Sequence, residues 1–183
     1  MIAAEPFETE RLAMARQRME DAPALFEAYS DVDLMRYWSS APHATVEETR
    51  AYLDPRCDHH EWRGWAIRIK GEPQAIGTLA ATTRRPGVAE IGYLLARNYW
   101  GKGYAHEAVG GLINLLFAEG HRRVFADTDP DNRGSIALLE RLGFRREGLL
   151  RAEWETHIGV RDTALYGLLA DEWRVSSSAA TRA

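Results

Sequence analysis

Gly101-Lys102-Gly103 sits between a run that alternates like a strand and a run that repeats like a helix, and there the residue types suggest chemistry. Val88 to Leu95 reads as the strand, and Ala105, Ala108, Val109, Leu112, Ile113, Leu116 and Phe117 recur at helical spacing after the glycines. The first turn of such a helix leaves backbone N–H groups without partners and carries the positive end of the macrodipole. Glycines let an anion reach that main chain with no Cβ in the way. The expected ligand carries phosphate. A Walker loop is excluded, because Lys102 is followed by Gly103 and not by Ser or Thr. A dinucleotide fingerprint is excluded too, since His106 stands where its third glycine belongs. Two glycines alone would also serve a plain strand-to-helix turn.

The second concentration of reactive side chains is Cys57, Asp58, His59 and His60. Adjacent histidines seldom point at one ion and no second cluster completes the set, so no metal is expected. Cys57 is the single cysteine, which excludes an internal disulfide framework, and nothing near it supplies the base a nucleophilic thiol needs.

The elements that must position the loop follow from pattern. Arg11 to Ala15 reads as a short strand, Asp21 as the cap of a helix presenting Ala24, Leu25, Ala28 and Tyr29, and Thr45 with Glu48 as a capping box for a second helix to about Leu53. Trp65 to Ile69, Gln74 to Thr82 and Val88 to Leu95, separated by turns at Gly71-Glu72 and Arg85-Pro86-Gly87, make an antiparallel meander. Arg123 to Asp127 is a further strand, Ser135 to Leu142 a helix stopped by Gly143, and Phe144 to Arg151 and Val160 to Leu169 the last strands. Residues 1–174 read as a single domain, and the Ser- and Ala-rich stretch 175–183 as a disordered tail.

Three stretches together resemble a known family. Glu90-Ile91-Gly92-Tyr93-Leu94-Leu95 followed by Asn98-Tyr99-Trp100-Gly101-Lys102-Gly103-Tyr104-Ala105-His106-Glu107-Ala108 resembles the acetyl-CoA signature of GNAT N-acetyltransferases in its RimJ/RimL-like form. Asn132-Arg133-Gly134-Ser135, Leu142-Gly143-Phe144 and Glu147-Gly148 resemble the second signature of that branch, and Glu8-Thr9-Glu10-Arg11-Leu12 its usual opening. The resemblance implies an α/β (α+β) fold: a mixed, mostly antiparallel sheet with helices on both faces. It also implies a V-shaped splay between two central parallel strands, the one ending near Leu95 and Arg123 to Asp127.

Roles follow from the resemblance. Acetyl-CoA is the cosubstrate. Its pantetheine amides would bond the edge at Leu94 and Leu95 and its pyrophosphate the N–H groups of Gly101 to Ala105, through Tyr104, with Trp100 and Lys102 beside it and Asn132 along the arm. A backbone N–H near Leu95 would be the oxyanion donor. The base is Glu90, acting through water, or Glu153, and the resemblance favours Glu153. RimL-like enzymes carry a glutamate near there, one residue different in spacing. Many relatives place an acidic tyrosine where this chain has Leu139; Ser135 is what the RimL-like branch offers to sulfur, although a serine there also suits a helix cap. Tyr37, Trp38 and Trp62 would form the floor of the acceptor site.

The composition agrees. The chain has 183 residues, 45% hydrophobic, with a net charge of −4 and both signs interspersed, so it carries no basic footprint for nucleic acid. It has no apolar stretch long enough for a bilayer and no leader pattern, which points to the cytoplasm. The reading is an acetyl-CoA-dependent N-acetyltransferase acting on a primary amine, of a protein N-terminus or a small molecule, by direct attack in a ternary complex. The alternative is a catalytically inactive acyl-CoA-binding regulatory module. An apolar sheet edge leaves a homodimer open.

Overall fold

The computed structural model describes residues 4–54 and 62–173. Cys57 to His60 and the tail from 175 lie outside the described residues.

Eight strands form one sheet in the order β1-β2-β3-β4-β5-β6-β8-β7. β1 (Phe7–Glu8), β2 (Leu12–Arg16), β3 (Trp62–Ile69), β4 (Ala75–Arg85) and β5 (Val88–Leu95) run antiparallel, each to the next. β6 (Arg123–Thr128) is parallel to β5, and β8 (Gly159–Leu169) and β7 (Arg145–Thr156) complete the sheet antiparallel. This is the expected mixed sheet, extended by β1 and by a longer β7.

The helices divide between the two faces, and strand alternation decides which residues each face receives. α3 (Tyr104–Ala118) and α4 (Arg133–Arg141) cover one face, where Ala108, Val109, Leu112, Ile113, Leu116, Leu138 and Leu139 pack against Ala89, Ile91 and Leu95 of β5. α1 (Ala22–Ser30) and α2 (Val46–Tyr52) cover the other, where Leu25, Ala28 and Tyr29 pack with Ala66 and Leu94. Gly77 permits the close approach of β4 to the end of β5: a Cβ there would run into the Leu94 carbonyl oxygen.

Two expected caps differ in detail. The Thr45 hydroxyl accepts from Glu48 N as predicted, but the Glu48 carboxylate bonds Ala44 N. Asp21 precedes α1 without capping it, because a 3-10 turn (Met19–Asp21) intervenes and its carboxylate accepts instead from Arg18 N and the Arg68 guanidinium.

Candidate active site

β5 and β6 pair only from Val88–Glu90 against Arg123–Phe125. Beyond those residues β5 stays bonded to β4 as far as Leu95, and β6 to β8 as far as Thr128, so the two parallel strands diverge. A cleft of about 1800 Å³ passes through this gap. Its walls include the residues of both sheet faces, from Tyr37, Trp38 and Trp62 on the α1/α2 side to Gly101, Gly103, Asn132 and Ser135 on the α3/α4 side.

At the end of β5 the backbone alternation matters. The Ala96 N–H bonds Ile76 O in β4, so the polar groups of Leu95 turn the other way, toward the gap. The Leu95 carbonyl already accepts from Trp100 Nε1 at 2.8 Å, which leaves its N–H as the group free of that contact. Leu94 does not offer a second free edge: its carbonyl faces Gly77 of β4. Trp100 thus holds the strand end through its indole, while the Arg97 guanidinium lies over its ring at 5.3 Å. Arg97 also makes a two-point bond to Asp31, 2.8 Å on each side, which ties the segment carrying Tyr37 and Trp38 to the end of β5 and holds the Asp31 carboxyl down at about 2.

The glycine loop takes the conformation its residues allow. Gly101 and Gly103 have φ of 73° and 80°, in the left-handed region, and Gly103 caps α3. Glu107 in the first turn would oppose a phosphate, but it is held from behind. Thr9 Oγ1 at 2.6 Å, Arg11 N at 2.7 Å and Arg11 Nε at 2.6 Å all donate to its carboxylate, and Arg11 Nη1 donates to Lys102 O at 2.9 Å. Burial pushes the Glu107 carboxyl up, and these hydrogen bonds outweigh it and hold it below its ordinary value. The opening Thr9-Glu10-Arg11 motif therefore braces the loop, a role its sequence position does not reveal. Lys102 points its ammonium over the Tyr99 ring, 5.4 Å from the centroid, and its side chain is not part of the cleft wall. Gly103→Val is expected to weaken acetyl-CoA binding about tenfold or more, because a branched side chain disfavours the left-handed φ that shapes the loop and stands where an anion would meet the backbone. Its Cβ would also lie 3.2 Å from Arg11 Nη2. Calorimetry checks this, and unchanged affinity would exclude the loop as the phosphate site.

The two carboxylates part company. Glu90 lies on the α1/α2 face of β5, in the cleft wall, 3.0 Å from Arg84 Nε. Burial pushes its carboxyl above the ordinary value, the nearby Asp127 charge adds to the rise, and Arg84 counters it. Asp127 itself accepts from Trp154 Nε1 at 2.8 Å and lies across the gap on β6. Glu153 does not join them. β7 continues past the expected end at Arg151 to Thr156, with a bulge between Leu150 and Trp154 and Ala152 at φ 52°. Trp154 lines the cleft, whereas its neighbour Glu153 is exposed and absent from the cleft wall. A one-residue difference in spacing suffices to reverse the face. Asp127→Asn is expected to lower the Glu90 pKa toward its ordinary value, because it removes a like charge; a carbon-13 titration of the Glu90 carboxyl reads this directly.

On the opposite face, α4 begins at Arg133 and its cap is Asn132, whose Oδ1 accepts from Ser135 N at 3.1 Å. Asn132 lines the cleft, but this oxygen is committed to the helix. Ser135 is consequently not the cap, and its hydroxyl meets Tyr93 OH at 2.7 Å. Leu139 is wholly buried in the core between α4 and the sheet.

Residues 11–145 match the Acetyltransferase (GNAT) domain family. The chain belongs to the GNAT acetyltransferases. It is 34% identical to the uncharacterized N-acetyltransferase p20 of Bacillus licheniformis over 171 residues, covering 90% of this chain and 96% of the relative. The GNAT-family acetyltransferase from Bacillus anthracis superposes with a TM-score of 0.82 at 26% identity, covering 91% of this chain and 99% of that one. RimL, the ribosomal L7/L12 alpha-N-protein acetyltransferase in complex with coenzyme A, shares the fold, with a TM-score of 0.77 at 20% identity over 92% of this chain and 99% of its own. This GNAT protein is an N-acetyltransferase, and among its described residues no helix is long and apolar enough to cross a membrane.

Proposed function

We propose that this enzyme moves an acetyl group from acetyl-CoA to a primary amine by direct attack in a ternary complex. The observation that carries the reading is the gap between β5 and β6, with Glu90 on one sheet face and Ser135 on the other. Acetyl-CoA enters from the α3/α4 side. Its pyrophosphate rests on the N–H groups between Gly101 and Ala105, and its thioester carbonyl meets the Leu95 N–H. The amine enters from the α1/α2 side over Tyr37, Trp38 and Trp62, and Glu90 takes its proton, directly or through water. The raised Glu90 pKa brings a carboxylate nearer to the range in which a base works at neutral pH. Glu153, exposed and outside the cleft wall, has no part in this scheme.

The acceptor is the N-terminal amine of a protein or a small amine in the cytoplasm; the RimL neighbour, which acts on a ribosomal protein, supports the first. Nothing in the cleft favours an inactive binding module. Calorimetry with acetyl-CoA and CoA, followed by thiol release with peptide and small-amine acceptors, tests the reading. Binding with acceptor-dependent release supports it. Absence of binding at millimolar acetyl-CoA would end it.

A further inference from the structure

Departure of CoA places a negative charge on sulfur, and the α4 position where many relatives carry a tyrosine is filled here by the buried Leu139. The structure supplies a phenol to this side of the cleft from another element, β5. Tyr93 projects from β5 on the α3/α4 face, lines the cleft, and brings its hydroxyl 2.7 Å from Ser135 Oγ. Its other contact, with the Ser135 carbonyl oxygen, is long at 3.4 Å. The serine backbone is fixed by Asn132, so the pair is held at both ends by the fold.

We propose that Tyr93 is a positioning residue for thiolate release: its hydroxyl donates to Ser135 Oγ and turns the serine hydrogen toward the sulfur of the departing CoA. The proposal rests on the reading above, that acetyl-CoA fills the gap with its sulfur beside Ser135. Either hydroxyl could donate across this contact, and the greater acidity of a phenol than of an alkyl hydroxyl favours Tyr93 as the donor. Burial pushes the Tyr93 phenol up to about 12 in spite of the Ser135 hydrogen bond, so it keeps its proton at neutral pH, and a phenol is a stronger donor than an alkyl hydroxyl. With its oxygen accepting from Tyr93, Ser135 has its own hydrogen left for a third atom, and accepting makes it the better donor. In the step itself the C–S bond breaks with its electron pair on sulfur, and the serine O–H hydrogen-bonds that pair. The proton lost by the attacking amine leaves through Glu90 on the other face. No proton leaves Tyr93.

The test needs no acceptor, because CoA itself presents the thiolate. Titrating the bound CoA thiol by its ultraviolet thiolate absorbance, in wild type, Tyr93→Phe, Ser135→Ala and the double variant, reads the effect at sulfur. Tyr93→Phe is expected to weaken thiolate stabilisation about threefold to tenfold, seen as a rise in the bound thiol pKa. Affinity for desulfo-CoA should be unchanged, and Tyr93→Phe should have no further effect once Ser135 is alanine. An identical thiol titration in wild type and Tyr93→Phe would overturn the proposal. So would an equal Tyr93→Phe effect with and without the Ser135 hydroxyl, which is the signature of a merely structural tyrosine. If CoA and desulfo-CoA both fail to bind wild type, the acetyl-CoA reading itself falls, an outcome separate from a bound thiol that ignores Tyr93.

Discussion

Glu90→Gln is expected to lower kcat about a hundredfold or more, the usual loss when a positioned general base is removed. The acetyl-CoA Kd should change little, because the carboxylate projects on the α1/α2 face of β5, opposite the face that carries Tyr93. Glu153→Gln should leave turnover nearly unchanged. Thiol-release kinetics with calorimetry on both variants decides the matter, and a larger loss at Glu153 would reverse the assignment. The same substitution has a stability consequence of opposite sense. The folded-state pKa of Glu90 is raised above its ordinary value, chiefly by burial, so the native state holds this proton more tightly than the unfolded chain. Its contribution is therefore fully present at pH below the unfolded pKa and is lost as pH rises through the folded value. At neutral pH glutamine, which needs no ionisation, should leave the protein at least as stable as wild type. Lower activity with equal or greater stability is the mark of a group kept for chemistry.

Trp65→Ala is expected to cost about 3–5 kcal/mol of folding stability, the range for deleting a large aromatic from a core. Trp65 is fully buried in β3. It meets the edge of Phe7 at a centroid distance of 5.9 Å, and its Nε1 donates to Glu5 O at 2.8 Å, so it secures the first strand to the sheet as well as filling the core. Losing it removes packing and the indole donor that ties the Glu5 carbonyl to the sheet. Urea unfolding measures the loss. A decrease below about 1.5 kcal/mol would mean that the first strand closes over the cavity. Because Trp65 lies on the α3/α4 face and outside the cleft wall, the folded fraction should keep its affinity for acetyl-CoA.

Much of the scaffold is legible because its signals are local. β5 runs from Val88 to Leu95, as its alternation and flanking turns require, and α3 begins after the second glycine and buries the apolar stripe seen in the chain. The acetyl-CoA signature is legible for the same reason: a strand, a glycine loop and a helix N-terminus are contiguous, and their chemistry lies mostly in the backbone. The choice between the two carboxylates is not contiguous with anything that decides it. Whether Glu153 or Trp154 enters the cleft depends on a bulge in β7, where Ala152 takes a left-handed φ, and a shift of one residue exchanges the faces.

The contacts that complete the site join residues far apart in the chain. Tyr93 and Ser135 are 42 positions apart, and Arg11 and Glu107 are 96. Tyr93 and Arg11 stand within motifs that the sequence makes visible, yet nothing local shows which atoms they reach. The amino-acid sequence by itself determined the elements, their order and the glycine loop that opens α3, since periodicity, turn residues and helix ends act over a few residues. Only the tertiary structure decided which carboxylate enters the cleft wall and which hydroxyl meets Tyr93 across it. Those choices depend on strand register and on the separation of β5 from β6, which arise when distant segments pack.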